Sequence, residues 1–233
     1  MKNLQSFPTC EECIAKDHPI FKDLSPNEID TLNFDKGCSA YKRGNIIYHE
    51  GNRINGYYCV NNGIVKMYKT GIDGKEQIIR FAKSGDIIGY RSVLSKELAC
   101  TTAKVIEDAV LCFIPADSLF KMVKNNSAFA MNLMQLTCQE LGEANNFITD
   151  IAQKTVRERL AEILLLLKDK FNLDEDQILK ISLTREELAN LVGTATESVI
   201  RLLSEFKGDK LIELQGRKIK FLNLPGLQKV ANL

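Results

Sequence analysis

The hydrophobic pattern of the chain changes character near residue 120. Before that point, short runs rich in Tyr, Val, Ile and Phe are separated by turn residues, as in NIIYHEG, GYYCVNNG, GIVKMYKTG and EQIIRFAKSG. Nine of the 14 glycines lie between Gly37 and Gly89, where they separate these runs. β-branched and aromatic residues bounded by Gly, Asn and Asp are typical of strands and tight turns. The pattern predicts a compact all-β domain of short strands, a small roll or barrel.

From Asn126 the hydrophobic period becomes helical. Seven residues follow alternating steps of three and four, which places them on one stripe of a helix more than about 20 residues long. We interpret the stripe as the seam of a two-helix dimer, in which a single polar Asn145 sets register and partner number; packing of the helix on its own domain is the alternative. The seam consists of Met131, Met134, Cys138, Leu141, Asn145, Ile148 and Ala152.

A further amphipathic helix, KTVRERLAEILLLLKDKF, follows the long one. Asp150 or Thr155 would end one helix and start the next, so we expect a hinge near 150–155. The predicted organisation is a β domain at 1–125, a long helix at 126–152 and a C-terminal domain at 153–233.

Two closely spaced amphipathic segments occur in LTREELANLVGTATESVIRLL, residues 183–203. Thr184 with Glu187 forms a candidate capping box, Gly193 permits a left-handed turn, and Thr194 or Thr196 can cap the second helix. GDKLIELQGRKIKFLN then predicts two short strands joined by a turn at Gly216. Helix, helix and hairpin in this order indicate a winged helix-turn-helix.

The second helix of this motif has a polar outer face. With Val199, Leu202, Leu203 and Phe206 pointing inward, the outer face keeps Glu197 and Arg201, an i, i+4 pair. A carboxylate accepts from cytosine N4, and an arginine donates two bonds to guanine O6 and N7. The predicted DNA-binding residues, with phosphate contacts from the first helix, are Thr184, Arg185, Thr194, Thr196, Glu197, Ser198, Ile200 and Arg201.

Charge and composition limit the other function classes. The formal net charge of the 233 residues is +1, so a nucleic-acid contact must come from a local patch. Residues 153–233 contain 14 Lys and Arg and 12 Asp and Glu, a net of 14 − 12 = +2. Trp is absent and His occurs twice, and no nucleophile–base pair or phosphate loop is evident. We therefore expect a protein that is not an enzyme.

The N-terminus lacks the apolar segment of a signal peptide, and the longest apolar run, Ile163–Leu167, is too short to cross a membrane. We expect a cytoplasmic protein without membrane contact. Seven cysteines are an odd number, and reduced thiols are expected in preference to a disulfide framework.

Over nearly its whole length the chain resembles the Crp/Fnr family of bacterial transcription regulators. RGNIIYHEGN through KSGDIIG is similar to the cyclic-nucleotide-binding-type β-roll of that family, and TREELANLVGTATESVIRLLSEF to its helix-turn-helix. The resemblance implies an α+β fold: an N-terminal roll that senses a signal, a long dimerisation helix, and a C-terminal winged helix that reads a palindrome. It also implies that Glu197 and Arg201 read bases and Arg185 contacts phosphate. Thr196 and Ile200 depart from the family pattern, which leaves the outer bases of the half-site open. RNA polymerase is an expected partner.

The resemblance places an effector pocket in the roll. A cyclic nucleotide needs a Glu for the ribose shortly after GDIIG and an Arg-Ser or Arg-Thr pair for the phosphate. Here Tyr90 and Arg91 follow Gly89, and the later segment ACTTAK lacks the arginine, so cyclic AMP is not expected and the effector stays unidentified. The candidate pocket residues are Ile88, Gly89, Tyr90, Arg91, Thr101, Thr102 and Asn145.

Three cysteines, Cys10, Cys13 and Cys112, resemble ligands of the iron–sulfur cluster in the oxygen-sensing branch of the family. The fourth position falls at Pro19, which cannot ligate; His18 and Cys38 are the neighbouring alternatives. A bound cofactor is therefore not the leading expectation, and neither zinc nor haem through His18 or His49 is favoured.

We therefore predict a homodimeric regulator that binds double-stranded DNA. Two alternatives stay open: an iron–sulfur or thiol redox sensor that uses the three cysteines, and a partner- or ligand-binding module without DNA activity.

Overall fold

The computed structural model describes residues 7–233; the first six residues of the predicted sensor domain lie outside the described residues. The chain divides into two compact units, the residues up to Lys69 with Ile79–Gly142, and Thr70–Ile78 with Glu143–Leu233. No helix in the described part of the chain is both long and apolar enough to cross a bilayer.

The first unit is built around an antiparallel sheet with the predicted short strands. A 3₁₀ turn at Ile14–Asp17 and helix α1 precede the sheet, α2 lies within it, and α3 follows. The elements are α1 Pro26–Asp35, β1 Gly37–Tyr41, β2 Ile46–Tyr48, β3 Gly56–Thr70, β4 Glu76–Ala82, β5 Ile87–Ile88, α2 Tyr90–Ser95, β6 Thr102–Pro115 and α3 Ala116–Asn125. The sheet order is β1-β6-β3-β4, with β2 on β6 and β5 on β3.

Two buried clusters hold the first unit together. One lies inside the roll and includes Val60, Val65, Val105 and Leu111. The other joins the N-terminal turn and α1 to the sheet and to the long helix, through Phe129 and other residues. Burial of such side chains stabilises a fold by about 1.5–3 kcal/mol each.

The long helix α4 spans Ser127–Gln153, close to the prediction of 126–152. Its first turn is capped by Asn126, whose Oδ1 accepts from Phe129 N at 2.9 Å. Helix α5, Val156–Phe171, starts at a capping box formed by Thr155 and Glu158. Of the two positions considered for the break between these helices, Thr155 is therefore the one that caps α5.

The second unit contains the predicted helices and wing. Helices α6 Arg185–Val192 and α7 Thr196–Gly208 are followed by strands β7 Ile212–Gln215 and β8 Lys218–Phe221, with Gly216 in the turn at φ 62°, and by a short helix α8, Leu224–Ala231. Fully buried side chains on α5, α7 and α8, including Leu164, Leu203 and Leu227, form its core. The helix, helix, hairpin order predicted from the sequence is confirmed.

Candidate nucleic-acid interface and ligand cavity

Helix α6 begins and ends as its sequence dictates. Thr184 accepts from Glu187 N at 3.0 Å, and Glu187 accepts from Thr184 N at 2.8 Å, which completes the capping box. Gly193 ends the helix in the left-handed region at φ 74°, where a side chain would be strained. The tight stop leaves three residues between the end of α6 and the start of α7.

The expected cap of α7 is wrong. Neither Thr194 nor Thr196 caps the helix; Ala195 holds the N-cap position and makes no side-chain bond. Thr194 instead donates its N–H to Ala189 O at 3.1 Å, so it closes the end of α6. Thr196 is already the first residue of α7, where its backbone is helical.

One face of α7 is buried and the opposite face is free. Val199, Leu202, Leu203 and Phe206 are 0–4% exposed. The remaining predicted contact residues lie outside this face: Glu197, Ile200 and Arg201 are exposed, and Thr194, Thr196 and Ser198 are half-buried.

Arg201 does not pair with Glu197, in contrast to the expected i, i+4 pair. Its Nη1 donates to Glu205 Oε1 at 2.6 Å, one turn towards the C-terminus. The second oxygen of Glu205 accepts from Arg157 at 2.8 Å, and Arg157 also bonds Asp209 and stacks on Phe206. Arg157 thereby orients Glu205 towards Arg201. Glu197, at the N-terminal end of α7, is left without Arg201 as an ion-pair partner.

Arg185 lies between α6 and the wing. Its Nη2 donates to Gly216 O at 2.8 Å, and burial lowers the pKa of its guanidinium. Five basic residues lie in and after α7 and along the wing; Lys207, Lys210, Arg217 and Lys218 are exposed and Lys220 is half-buried. The patch supplies the local positive charge that the net charge of the chain does not.

The predicted seam of α4 is entirely exposed. Met131, Met134, Leu141 and Ile148 are each more than half exposed, and Cys138, Asn145 and Ala152 are also classed as exposed. The opposite side of the helix is anchored by Phe129 and Leu133 in the core of the first unit. In a single chain, no apolar surface among the described residues covers this stripe of α4. The alternative prediction, that the stripe packs on the domain of its own chain, is therefore not observed.

A cavity inside the first unit gathers five of the seven predicted pocket residues. Ile88, Gly89, Tyr90, Arg91 and Thr101 line it. Thr102 is buried beside it and accepts from Glu50 N at 3.0 Å, while Asn145 is exposed on α4 and is not in the lining. The other lining residues, which the sequence did not indicate, are Tyr48, Met67, Ile79, Arg80, Ile87, Ser92, Cys100 and Glu140.

Charged groups meet in this cavity. Arg80, on β4, forms an ion pair with Glu140 of α4, and its Nη2 donates to Ile87 O at 3.0 Å. Arg91 Nη1 lies 3.7 Å from the other oxygen of Glu140, and its Nη2 donates to Cys100 Sγ at 3.1 Å. In the sequence, the only indication of this charged site is the single arginine within the apolar run EQIIRFA. Glu140 lies among many polar residues of α4, so the sequence did not indicate that it is buried beside Arg80.

Tyrosines close the apolar side of the cavity. Tyr48 is 7% exposed and Tyr90 2% exposed. Burial raises the pKa of Tyr48 to about 12 and also raises the pKa of Tyr90. Both hydroxyls therefore stay protonated at neutral pH and serve as hydrogen-bond donors or acceptors without charge.

Four of the seven cysteines meet at a second cavity of the same unit. The preference for reduced thiols over a disulfide framework agrees with five free cysteines, but the other two are bonded to each other. Cys38 and Cys112, opposite each other on β1 and β6, form a disulfide. Cys59 on β3 stands opposite Cys112 on its other side, so three cysteines form a row across the sheet. Cys10, Cys13, Cys59 and Cys112 line the cavity.

This arrangement does not fit an iron–sulfur cluster. Within residues 7–233, no three His, Cys, Asp or Glu side chains are grouped as a metal site. Cys112 is bonded to Cys38, so its sulfur is not available as a thiolate ligand, and burial raises the pKa of the Cys59 and Cys10 thiols. The cavity is about 40 Å³, room for little more than a water molecule.

The two histidines lie apart from the candidate sites. His18 is half-buried with Nε2 3.7 Å from Asp86 Oδ1, and burial lowers its pKa despite that carboxylate. His49 is exposed.

Comparison with known families matches both parts of the chain. A cyclic nucleotide-binding domain model covers residues 39–126, and a Crp-like helix-turn-helix domain model covers residues 158–230. The order of the two models agrees with the roll and the winged helix.

Curated relatives extend the similarity to almost the full length. The fumarate and nitrate reduction regulatory protein of Escherichia coli K12 is 24% identical over 225 residues, which cover 95% of this chain and 90% of that protein. The transcriptional activator protein Anr of Pseudomonas protegens is 24% identical over 218 residues, 92% of this chain and 88% of its own.

Solved structures show the same fold. FixK2 from Bradyrhizobium japonicum superposes with a TM-score of 0.75 at 26% identity, covering 84% of this chain and 96% of its own. A regulator described as a member of the crp/fnr family, from Eubacterium rectale, has a TM-score of 0.74 at 22% identity and covers 92% and 98%. With roll, long helix and winged helix in this order, the chain is a DNA-binding transcription regulator of the Crp/Fnr family.

Proposed function

We propose that the protein acts as a homodimer that reads a palindromic DNA site through α7 of each copy. The observation that carries this proposal is the division of α7 into a buried face and a free face that presents Glu197, Ile200 and Arg201. A helix held rigidly on one side and polar on the other is suited to lie in the major groove.

The chemistry of the free face suits a G·C-containing half-site. Arg201 has five N–H donors and uses one on Glu205, which leaves donors for guanine O6 and N7. Glu197 can accept from cytosine N4, and Ile200 can contact a thymine methyl group. Thr194, Thr196 and Ser198 flank them and serve as contacts to bases or phosphates.

The contacts to phosphate come from the surroundings of α7. Thr184 and Arg185 start α6, and the exposed Arg217 and Lys218 lie on the wing. Arg185 is tied to the wing turn through Gly216 O, so its phosphate contact would couple α6 and the wing on the DNA.

The exposed stripe of α4 supports the homodimer. An uncovered apolar stripe of heptad type on a 27-residue helix is stabilised when a second copy covers it. A two-fold pair of α7 helices would then contact two half-sites about one helical turn apart. RNA polymerase is the protein partner that a regulator bound to DNA implies, and we place the protein in the cytoplasm without a catalytic role.

The test is binding of full-length protein to DNA sites selected from a random library. We expect a palindromic site, affinity that falls steeply with added salt, and Arg201→Ala and Glu197→Ala variants that lose about 1–3 kcal/mol of discrimination at their base pairs. Arg217→Ala is the control: it weakens all sequences alike. If no sequence is enriched and DNA affinity is independent of salt, α7 docks a protein instead, and the chain is a partner-binding module.

A second candidate function, thiol redox sensing, rests on the row of Cys38, Cys112 and Cys59. Oxidation of the Cys38 and Cys112 thiols forms the S–S bond and passes two electrons and two protons to an oxidant such as a low-molecular-weight disulfide. Both sulfurs belong to the roll, which the family resemblance designates as the sensory unit.

This candidate is tested by measuring DNA affinity of the reduced and the oxidised dimer. We expect a difference that Cys38→Ser and Cys112→Ser remove and that Cys100→Ser, an exposed thiol outside the row, keeps. Equal affinity of both forms in the wild type would exclude thiol sensing while leaving DNA recognition intact.

A further inference from the structure

The ligand cavity does not carry the groups that a cyclic nucleotide requires. Tyr90 occupies the place expected for the ribose carboxylate, and Cys100 precedes Thr101 where an arginine is expected. Two other arginines, Arg80 and Arg91, reach the cavity from different elements. The charged groups of the cavity therefore differ from those that the family resemblance implies for a cyclic-nucleotide pocket.

The charges of the lining do not balance. Two guanidinium groups face one carboxylate, that of Glu140, so the lining keeps one positive charge. Only Arg80 is in close ionic contact with Glu140; Arg91 lies 3.7 Å away and is half exposed. If the carboxylate of Glu140 leaves, Arg80 loses its partner at a position only 21% exposed, and an anion from outside is then needed in its place.

Arg80 also has a donor that is not used. Its Nε is buried and has no hydrogen-bond partner in the described part of the chain, although Nη1 and Nη2 are engaged. Buried donors are nearly always satisfied in folded proteins. An oxyanion that approaches Arg80 can occupy Nε together with a neighbouring nitrogen in the usual bidentate geometry.

The size and the walls of the cavity limit the ligand. The free volume is about 60 Å³, which admits the head of a carboxylate or phosphate and little more while the Glu140 side chain stays inside. Met67, Ile79, Ile87 and Ile88 provide an apolar wall. A ligand with an apolar body therefore needs more room than the cavity offers while Glu140 stays inside.

We infer that this cavity binds a small oxyanion on an apolar body, held by Arg80 and Arg91, in exchange for the carboxylate of Glu140. This inference rests on the proposed function, since it names the ligand class of the sensory unit. Glu140 lies on α4, the helix that carries the exposed seam. Release of Glu140 changes how α4 is held by β4, which is a physical link from the ligand to the dimer helix.

The experiment uses isothermal titration of the full-length protein, without DNA, with benzoate, phenyl phosphate and uncharged benzamide at millimolar concentration. We expect heat of binding for at least one of the two anions and none for benzamide. The two anions distinguish a carboxylate from a phosphate as the preferred group. Glu140→Gln removes the competing charge and should tighten binding of the preferred anion about tenfold.

Variants of the arginines complete the test. Arg80→Gln should abolish binding, and Arg91→Gln, at a half-exposed position less important for folding, should weaken it about tenfold. Lys75→Gln, an exposed cation outside the cavity, should leave it unchanged. Three results would each overturn the inference. The first is the absence of binding heat with both anions in the wild type and in Glu140→Gln. The second is benzamide binding as strong as that of the anions, and the third is weaker anion binding in Glu140→Gln than in the wild type.

The ligand experiment is independent of DNA recognition. Selection of DNA sites by the wild-type protein, with and without the anion, reports on the proposed function alone. Anion binding without an enriched DNA site would overturn the proposed function but not the cavity, and the reverse result would overturn only the cavity.

Discussion

Two arginine–glutamate pairs in this protein have the same chemistry and opposite surroundings. Arg80 and Glu140 meet inside the roll, with 21% and 9% of their side chains exposed, whereas Arg201 and Glu205 meet on the free face of α7, with 67% and 39% exposed. Removal of one partner from a buried pair leaves an uncompensated charge, but an exposed pair exchanges its partner for water. The first pair is therefore structural until a ligand replaces one member, and the second is available for recognition at little cost.

The largest effect is expected from breaking the buried pair. Glu140→Ala should lower the free energy of unfolding by about 3 kcal/mol, because the Arg80 guanidinium loses its partner, while the double variant Arg80→Met with Glu140→Met should recover a large part of that loss. Urea unfolding of the three proteins measures both. A single variant within experimental error of the wild type would mean that solvent already satisfies Arg80.

Loss of the exposed arginine should affect DNA and not folding. Arg201→Ala is expected to reduce discrimination at its base pair by about 1–3 kcal/mol and to change the free energy of unfolding by less than about 1 kcal/mol. Competition binding with single-base variants of the selected site, combined with urea unfolding, measures the two quantities. A stability loss as large as that of Glu140→Ala would contradict the distinction between the pairs.

Neutralising Glu205, the partner of Arg201, should have a smaller effect than either substitution above. Glu205→Gln removes a carboxylate that orients Arg201, and we expect a stability change below about 1 kcal/mol that disappears in high salt. Asp209→Asn is the matched control, since it neutralises another partner of Arg157 but leaves the Arg201 contact in place. A salt-independent loss specific to Glu205→Gln would show that this exposed pair behaves like a buried one.

A third pair, His18 and Asp86, tests how burial competes with charge, and we expect the smallest effect from it. Burial outweighs the neighbouring carboxylate and lowers the pKa of His18 below its usual 6.5. The folded state therefore binds the proton less readily than the unfolded state, so this contribution to stability is present above about pH 6.5 and is lost as the pH falls through and below that value. His18→Gln should flatten this part of the pH profile of unfolding; an unchanged profile would remove His18 as its cause.

Much of the architecture could be predicted because it depends on local patterns. The turn at Gly193, the box at Thr184 and the buried face of α7 follow from residues three or four positions apart, and all are present. The α7 cap was wrong because the helix begins at Thr196, so the N-cap position falls on Ala195, between the two threonines, and the capping preference alone does not place that boundary.

Partner choice was harder to predict than position. Arg201 has a glutamate four residues away on either side, and the period of a helix permits both pairs. Arg157 on α5 decides between them, because it holds Glu205 from the other side. In the same way, the disulfide depends on β1 and β6 lying side by side, which places two cysteines 74 residues apart opposite each other.

The sequence by itself determined the order of the elements and the faces of the helices, since hydrophobic period, glycine positions and capping residues act within a few residues of one another. Only the tertiary structure decided which distant groups meet: Arg80 with Glu140, Cys38 with Cys112, and Arg157 with Glu205. The physical reason is that a side chain's charge and reactivity depend on what is packed against it, and long-range packing leaves no local periodicity in the chain.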